Sequence, residues 1–210
     1  MESFSIVDKN DRHLSVVFGK QNLHRNNNYH RSVHIFVEVF GGKFILQKKA
    51  MNTENGGKWS SAASGHVQYG ETYGCAAMRE LEEEIGLKAD AGDLQRITKV
   101  SPNHNNGNEF ITLYTYLMDP ENESLKLQSD EVDGVAIRSL VDVIEDVCGY
   151  KDEYSPAFVE LFYTFLNLSE SSTTVDVMKD VCKYKNEYSP AFVELFYTSL
   201  ELAKGGTTNE

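Results

Sequence analysis

Basic residues are scarce in this chain of 210 residues, which has 20 lysines and arginines against 32 aspartates and glutamates and a net charge of −12. A field of that sign repels the phosphate backbone of nucleic acids and disfavours an anionic membrane surface. Long apolar runs are also missing, and no stretch of the sequence is long enough to cross a bilayer. We therefore expect no nucleic-acid partner and no membrane partner.

Cysteine is equally rare, and the three in the chain are Cys75, Cys148 and Cys182. Three cysteines cannot all pair within one chain, and none belongs to a Cys-x-x-Cys motif, a pattern that fits a reducing cytosol. The first residues contain neither a basic leader nor an apolar core, so we predict a cytoplasmic protein. Cys75 lies beside the apolar stripe of a predicted helix, and we expect it to be a buried thiol.

The most informative stretch of the sequence runs from residue 65 to residue 87 and reads GHVQYGETYGCAAMRELEEEIGL. Thr72 can cap a helix with its hydroxyl, and Gly86 is the residue type that adopts the left-handed conformation just after a helix end. Between them, residues with the spacing of a helix face that packs on a sheet are Gly74, Ala77, Met78, Leu81 and Ile85. We predict that Glu80, Glu83 and Glu84 lie on the opposite side.

Three carboxylates this close together on one helix repel one another, so without a cation they cost stability, or one of them holds a proton. Crowded hard oxygen ligands favour Mg²⁺ or Mn²⁺ over zinc. Arg79 directly precedes these glutamates, and its guanidinium fork is suited to pairing with Glu71 and tying the preceding loop to the helix. The alternative is a solvated acidic helix face, the usual meaning of a charge run.

This stretch resembles the Nudix box, Gly-x5-Glu-x7-Arg-Glu-aliphatic-x-Glu-Glu-x-Gly-aliphatic, at every defined position. Other segments are similar to the Nudix branch that includes isopentenyl-diphosphate isomerase and its hydrolase-like relatives: Phe4-Ser-Ile-Val-Asp-Lys, Tyr29-His-Arg-Ser-Val-His-Ile-Phe-Val, Ile45-Leu-Gln-Lys-Lys, Lys58-Trp59, Ser64-Gly-His-Val and Asn108-Glu-Phe. The resemblance implies an α/β fold, the Nudix α/β/α sandwich with a mixed sheet. It also implies hydrolysis of a diphosphate linkage in a nucleoside-diphosphate-linked or other organic diphosphate.

The resemblance also implies a role for each residue of the box. The metal ligands would be the carbonyl oxygen of Gly65 and the carboxylates of Glu80, Glu83 and Glu84, with Mg²⁺ or Mn²⁺ as the ion. Glu80 is open between a ligand and the general base, and Glu71 would be the partner of Arg79. Metal ions in such a site neutralise charge on the diphosphate and lower the pKa of a bound water.

In the isomerase branch a second metal site uses histidines and glutamates outside the box. The positions here that look similar are His24, His30, His66 and Glu109. A structural role is the alternative for the three histidines, because their spacing matches no zinc signature. His34, which lies in an alternating strand, is predicted to be structural or a surface residue.

Two departures from the isomerase pattern favour a hydrolase. The isomerase needs a reactive cysteine just before the Gly-His pair, and this chain has Ser64, whose hydroxyl is far less acidic than a thiol. The isomerase also has a glutamate two residues before Glu109, where this chain has Gly107. An isomerase and a non-catalytic protein that binds a phosphorylated ligand are the alternatives. Trp59 is predicted to pack under the box loop, as a lone tryptophan commonly does.

Short alternating segments bounded by polar turns predict strands at Phe4–Val7, Leu14–Phe18, Val33–Phe40, Lys43–Lys49, Leu94–Ser101, Phe110–Met118 and Val132–Ile137. Gly41-Gly42 predicts a hairpin between the third and fourth of these strands. A further helix is expected at Leu140–Val147.

The tail contains a duplication, because Val141–Leu168 and Val175–Leu202 are nearly identical. Each copy predicts a helix with a serine cap and a proline in its first turn, at Ser155-Pro156 and Ser189-Pro190. We therefore divide the chain into a Nudix domain, residues 1–168, and a duplicated helical extension, residues 169–210. The second copy must pack on the first, pair with another chain or hang loose, and we hypothesise a homodimer contact through it.

Overall fold

The computed structural model describes residues 2–40, 42–103 and 106–169, and within these ranges it has nine strands and four helices. The strands are β1 (Ser3–Val7), β2 (His13–Phe18), β3 (His30–Val39), β4 (Lys43–Lys49), β5 (Trp59–Ser61), β6 (Ala63–His66), β7 (Leu94–Val100), β8 (Glu109–Met118) and β9 (Val132–Ser139). The helices are α1 (Lys20–Leu23), α2 (Tyr73–Ile85), α3 (Leu140–Gly149) and α4 (Pro156–Ser169).

Seven of these strands form one mixed sheet, in the order β5-β4-β3-β8-β7, with β6 also paired to β3 and β9 also paired to β4. The central pair, β3 and β8, is parallel along its whole length, from His30 opposite Glu109 to Val39 opposite Met118. The other pairs of the sheet are antiparallel. The predicted α/β fold with a mixed sheet is therefore confirmed.

Helices cover both faces of the sheet, because successive side chains of a strand point to opposite faces. On one face the valines and isoleucine of β3 pack against α2, with Ala77, Leu81 and Ile85 fully buried there. On the other face, Phe36 packs with residues of α3 and α4, including Phe158. The result is the α/β/α sandwich that the resemblance implied.

Strands β3 and β4 pair only near their hairpin, from Val37 to Val39, and then separate. The split is filled by β5, which pairs with β4, and by β6, which pairs with β3. In this way the segment that begins the Nudix-like box enters the middle of the sheet. Neither β5 nor β6 was predicted, because each is too short to show a clear alternation.

The β1–β2 hairpin is a separate two-stranded sheet with a small apolar cluster of its own. Its turn is anchored by Asp11, whose carboxylate accepts hydrogen bonds from Arg31 Nε at 2.5 Å, from Tyr73 OH at 3.0 Å and from Lys99 Nζ. Burial raises the pKa of Asp11, but these three hydrogen bonds outweigh burial and leave the pKa below its usual value. One carboxylate thus links the hairpin to β3, α2 and β7.

The other strand and helix predictions are confirmed to within two or three residues at their ends, as expected for such boundaries. Two side-chain predictions are wrong. Trp59 packs against the apolar cluster under α3 and α4, on the other face of the sheet from α2, because β5 turns it that way. Cys75 is exposed, because it lies in the first turn of α2 and faces away from the sheet.

The second copy of the tail lies outside the described residues, and with it the homodimer contact, which stays a prediction. The division at residue 168 also stays a prediction. Among the helices that the structure describes, none has the length and apolar character needed to span a membrane.

We expect Asp11→Asn to lower the free energy of unfolding by about 1–3 kcal/mol, because Arg31 and Lys99 lose the anion that they share in a poorly solvated position. Urea denaturation measures the loss. The matched control is Asp8→Asn, since Asp8 lies in the same turn but accepts hydrogen bonds from the backbone of Asn10 and Arg12. Equal losses in the two variants would mean that the turn, and not the anchor, is what stabilises the hairpin.

Candidate active site

Helix α2 begins and ends as the sequence predicts. The Thr72 hydroxyl oxygen accepts a hydrogen bond from the Cys75 N–H at 3.1 Å. Gly86 ends the helix in the left-handed conformation, with φ of 77°. A side chain there would collide with Lys126, whose Cβ would lie 2.7 Å from an added Cβ atom. The close approach at Gly86 brings the loop before β9 against the end of α2.

Arg79 organises the first half of the site. Its Nε and Nη2 donate to the two carboxylate oxygens of Glu71, at 2.8 and 3.0 Å, which confirms the predicted pairing. Its Nη1 donates to Glu80 at 2.6 Å and to Glu83 at 2.9 Å, and Nη2 also reaches the carbonyl oxygen of His66 at 3.0 Å. A single guanidinium therefore fixes the loop, the helix and the end of β6 relative to one another.

The prediction that the glutamates of the box lie opposite the apolar stripe is wrong for two of them. Glu80 and Glu84 are buried, and Glu84 is only 1% exposed. Glu80 lies three residues after Ala77, and Glu84 three residues after Leu81. Residues at this spacing share a face of the helix, so both glutamates lie on the buried side with Ala77 and Leu81. Glu83 alone points outward, with 52% of its side chain exposed.

The buried carboxylates fit because β6 presents a glycine to the helix. A Cβ atom on Gly65 would lie 2.1 Å from Glu80 Oε1, so no larger residue fits in this position. Glu84 Oε2 accepts hydrogen bonds from the Ser64 N–H and from Gln47 Nε2, both at 2.8 Å. The other amide atom of the fully buried Gln47, Oε1, has no hydrogen-bond partner.

A third carboxylate that sequence reasoning missed completes the acidic group. Oxygens of Glu80, Glu84 and Glu131 lie within 4.8 Å of one another, and Glu83 does not belong to this group. Glu131 precedes β9 between Asp130 and Asp133, in a polar segment with no motif to mark it. The structure therefore brings together two of the predicted acidic ligands and adds one from a distant loop.

Backbone hydrogen bonds explain how Glu131 reaches the helix. The Lys126 N–H donates to the carbonyl oxygen of Ile85 at 2.8 Å, and the Gln128 N–H donates to that of Glu84 at 3.0 Å. These bonds satisfy carbonyl groups that a helix end leaves without partners. The loop is thereby fixed along the last turn of α2, and Glu131 follows three residues later.

Burial raises the pKa of Glu80 to about 7 and that of Glu84 to about 8. Each carboxylate also feels the negative charge of its neighbours, whereas Arg79 favours the ionised form of Glu80 and Lys49 that of Glu84. Near neutral pH the group therefore retains protons unless a cation neutralises it. The donor set consists only of carboxylate oxygens, which is the chemistry that Mg²⁺ and Mn²⁺ prefer.

A second group of side chains contains all four residues that the resemblance singled out. Ligand atoms of His24, His30, His66 and Glu109 lie within 4.8 Å of one another. Three strands and α1 deliver them. The parallel register of β3 and β8 sets His30 opposite Glu109, and β6 sets His66 opposite Ser32, two residues further along β3. His24 follows directly after α1.

One buried nitrogen of this second group has no hydrogen-bond partner. His30 Nε2 is buried and has no hydrogen-bond partner, although it lies 3.4 Å from Glu109 Oε1. His66 Nε2 lies 3.5 Å from the same oxygen. Burial raises the pKa of Glu109, but contact with His30 and His66 outweighs burial and leaves the pKa well below its usual value. The role of the four residues as metal ligands stays a prediction.

His34 is structural, as predicted. Its ring is buried, and Nδ1 lies 2.7 Å from the Ser61 hydroxyl oxygen. Burial lowers the pKa of His34 to about 4, so the ring is neutral at physiological pH.

Comparison with known proteins is informative once these two groups are in view. The family model of the NUDIX domain matches residues 28–173. This range includes the whole acidic group and three members of the second group, His30, His66 and Glu109. The chain is a member of the Nudix family. The predicted resemblance is therefore confirmed, and the box glutamates belong to the motif that defines the family.

Relatives come from both the hydrolase and the isomerase sides of the family. Nudix hydrolase 3 from Arabidopsis thaliana is 31% identical over an alignment of 145 residues. The alignment covers 64% of this chain but 19% of that protein. Isopentenyl-diphosphate Delta-isomerase from Serratia proteamaculans (strain 568) is 26% identical over 144 residues, which are 67% of this chain and 80% of that protein. This chain thus spans a small part of the first relative and most of the second.

A solved structure from Deinococcus radiodurans, that of DR0079, has the same fold. Its TM-score with this chain is 0.66 at 18% sequence identity, over 80% of this chain and 100% of that one. At this level of identity the similarity concerns the fold.

The raised pKa values predict how the stability of the metal-free protein depends on pH. Glu84 has a folded-state pKa of about 8 against an ordinary value of 4.5. Between these two pH values the folded state keeps a proton that the unfolded state has lost, so the free energy of unfolding falls as the pH rises through this range. Glu84→Gln removes the titration, and its amide can donate to the unpaired Gln47 Oε1. At pH 8, in chelator, we expect the variant to be roughly 1–4 kcal/mol more stable than the parent protein.

Denaturation curves recorded from pH 5 to pH 9 measure this difference, which should shrink towards the acid end. Glu82→Gln is the matched control, because Glu82 lies on the exposed side of the same helix and pairs with Lys88 at 3.2 Å. Parallel curves for the parent protein and Glu84→Gln would show that Glu84 is not titrating in this range.

Proposed function

We propose that this protein is a hydrolase that cleaves a diphosphate linkage with the help of Mg²⁺ or Mn²⁺. The observation that supports this function is the acidic group, Glu80, Glu84 and Glu131, whose oxygens lie within 4.8 Å of one another, with Glu80 and Glu84 buried and Glu131 half-buried. Carboxylates this close together are costly to keep ionised without a cation. Membership of the Nudix family supports the same class of reaction.

The residues present fit a divalent metal ion. Glu84 and Glu131 would hold it, with Glu80 either a third ligand or the general base, and the carbonyl oxygen of Gly65, next to Glu80, is the further ligand that the family resemblance implies. When bound, such an ion offsets the charge of a diphosphate and increases the acidity of a coordinated water. Glu83, which points outward and is held by Arg79, would then have a supporting role.

Two lysines supply positive charge for the phosphate oxygens. Lys49 Nζ lies 3.4 Å from the Ser64 hydroxyl oxygen, beside Glu84, and Lys20 Nζ lies 3.8 Å from Glu131 Oε1. Both cations therefore border the acidic group, Lys49 from β4 and Lys20 from α1. The phosphate oxygens of a bound substrate would accept hydrogen bonds from these two ammonium groups in place of water.

Glu80 is our candidate for the general base. Burial raises the pKa of Glu80 to about 7, which suits a carboxylate that accepts a proton from water near neutral pH. The hydrogen bond from Arg79 Nη1 holds one oxygen of Glu80 and leaves the other available. Arg79 would thus position the base, and Glu71 would position Arg79.

The group around Glu109 would hold a second ion. Three imidazoles and one carboxylate suit a transition-metal ion such as Mn²⁺ better than Mg²⁺, which prefers oxygen ligands. The unpartnered, buried Nε2 of His30 supports this assignment, since such an atom is otherwise costly to leave unpaired.

An isopentenyl-diphosphate isomerase is the second candidate, because the same four residues and the Serratia relative favour it. The position of the reactive cysteine argues against it. Ser64 occupies that position, its N–H donates to Glu84, and its hydroxyl accepts from Lys49. A hydroxyl engaged with an ammonium group is a poor acid and a poor base at neutral pH, so a step that protonates carbon lacks its partner.

The composition supports the remaining proposals about this protein. A net charge of −12 favours a small-molecule substrate over nucleic acid or an anionic membrane. We also propose a cytoplasmic location, because three cysteines without a Cys-x-x-Cys motif fit a reducing compartment, and a homodimer through the second copy of the tail.

A panel of organic diphosphates, with the phosphorylated products of cleavage separated and measured with and without Mg²⁺ or Mn²⁺, tests the reaction. We expect metal-dependent cleavage of at least one nucleoside-diphosphate-linked substrate into a nucleoside monophosphate and a second phosphomonoester, and none in chelator. Isomerised isopentenyl diphosphate with no cleavage product would support the isomerase instead. Tight binding without turnover of any substrate would point to a binding protein.

Substitutions in the acidic group test the proposed metal ligands. We expect Glu84→Gln and Glu131→Gln each to lower kcat by about two or more orders of magnitude, because each removes a charge that holds the ion while the fold is retained. Calorimetric titration with Mn²⁺ should show the corresponding loss of uptake. The control is again Glu82→Gln, which should retain full activity, and normal turnover of Glu131→Gln would exclude Glu131 from the site.

A further inference from the structure

The duplicated tail places two nearly identical segments in one chain. Residues 141–168 and 175–202 are identical at 22 of 28 positions, with a constant offset of 34 residues. The first segment includes nearly all of α3 and α4. The second lies outside the described residues, and its sequence can be compared with the contacts that the first copy makes.

The first copy covers one face of the central sheet. Its apolar side chains with less than 6% exposure are Val143, Ile144, Val147, Tyr154, Phe158, Val159, Leu161, Phe162 and Leu166. The rings of Phe158 and Phe165 lie 5.6 and 5.5 Å from that of Phe36, and Phe165 lies 5.8 Å from Phe44. This face of the sheet is therefore an apolar docking surface, occupied by α3 and α4.

Nearly every residue that meets the sheet is repeated in the second copy. The six differences fall at residues 144, 145, 149, 152, 165 and 167 of the first copy. Gly149, Asp152 and Asn167 are exposed and Glu145 is half-buried. The two differences that concern the core are Met178 in place of Ile144, a change between apolar side chains of similar size, and Ser199 in place of Phe165.

The polar contacts of the first copy are repeated as well. Ser139 and Asp142 form a capping box at the start of α3, and Thr173 and Asp176 repeat the two residue types that such a box needs. The Ser155 N–H donates to the carbonyl oxygen of Trp59 at 2.9 Å, and Glu160 accepts from Asn103 at 2.8 Å. Their counterparts in the second copy are Ser189 and Glu194.

We propose that residues 173–202 are a second occupant of the sheet face that α3 and α4 cover, and that they replace the first copy within the same chain when that copy is disabled. The exchange would release a loop between Ser139 and Thr173. Such a loop is tolerable, because the entropy of closing a loop grows only slowly with its length. In the intact chain the first copy keeps the face, since Ser199 lacks the aromatic contacts of Phe165.

Four full-length proteins, all kept in reductant, test this exchange: the parent chain, Leu161→Asp, Leu195→Asp and the double variant. Leu161 is fully buried against the sheet, and a carboxylate there removes the first copy as an occupant. Trp59 is the single tryptophan of the chain and packs in the same cluster, so its fluorescence reports whether the face is covered.

We expect Leu161→Asp to unfold cooperatively with buried Trp59 emission at a melting temperature below that of the parent. Leu195→Asp should match the parent, and the double variant should lose the transition. Adding Ser199→Phe to Leu161→Asp should restore part of the melting temperature. If Leu161→Asp alone behaves as the double variant does, the second copy does not dock and the proposal is overturned.

Two further measurements keep the test sharp. Leu161→Ala should lower the melting temperature less in the parent chain than in the Leu195→Asp background, whereas equal losses would overturn the proposal. The mass of Leu161→Asp in solution should be that of a monomer. A dimer of this variant would mean that the second copy of another chain covers the face, which would overturn exchange within one chain.

Discussion

The structure depends on the burial of two carboxylates, Glu80 and Glu84, between α2 and the sheet. Their burial requires the split between β3 and β4, the missing side chain of Gly65 and the guanidinium of Arg79. It also raises the pKa of both groups towards neutrality, since a buried carboxylate disfavours its charged form. The fold thus accepts an electrostatic cost at this place, and such costs are common where a protein binds an ion or a substrate.

Local signals made much of this predictable. The Thr72 cap, the Gly86 terminus and the pairing of Arg79 with Glu71 each depend on residues within a few positions of one another, and all three are present. The burial of Glu80 and Glu84 was not predicted although their spacing contained the answer, because the apolar residues alone were used to define the buried face of α2. Trp59 was misplaced because β5, three residues long, sets its direction and shows no periodicity of its own.

Long-range geometry accounts for what the sequence could not reveal. Glu131 reaches the acidic group through a loop that bonds to the end of α2, and nothing near it in the sequence signals this contact. The histidines lie on three different elements, and only the resemblance to a known family grouped them with Glu109. Strand register decided the outcome, since β3 pairs with β8 on one side and with β6 on the other.

The strand β6 carries one further consequence. Gly65 and His66 are consecutive, yet Gly65 faces Glu80 while His66 faces Glu109, because neighbouring residues of a strand point to opposite sides. One peptide unit therefore separates the two candidate ion sites, and Arg79 is hydrogen-bonded to the carbonyl oxygen of His66. Any coupling between the occupancies of the two sites would have to be equal in both directions, because thermodynamic linkage is reciprocal.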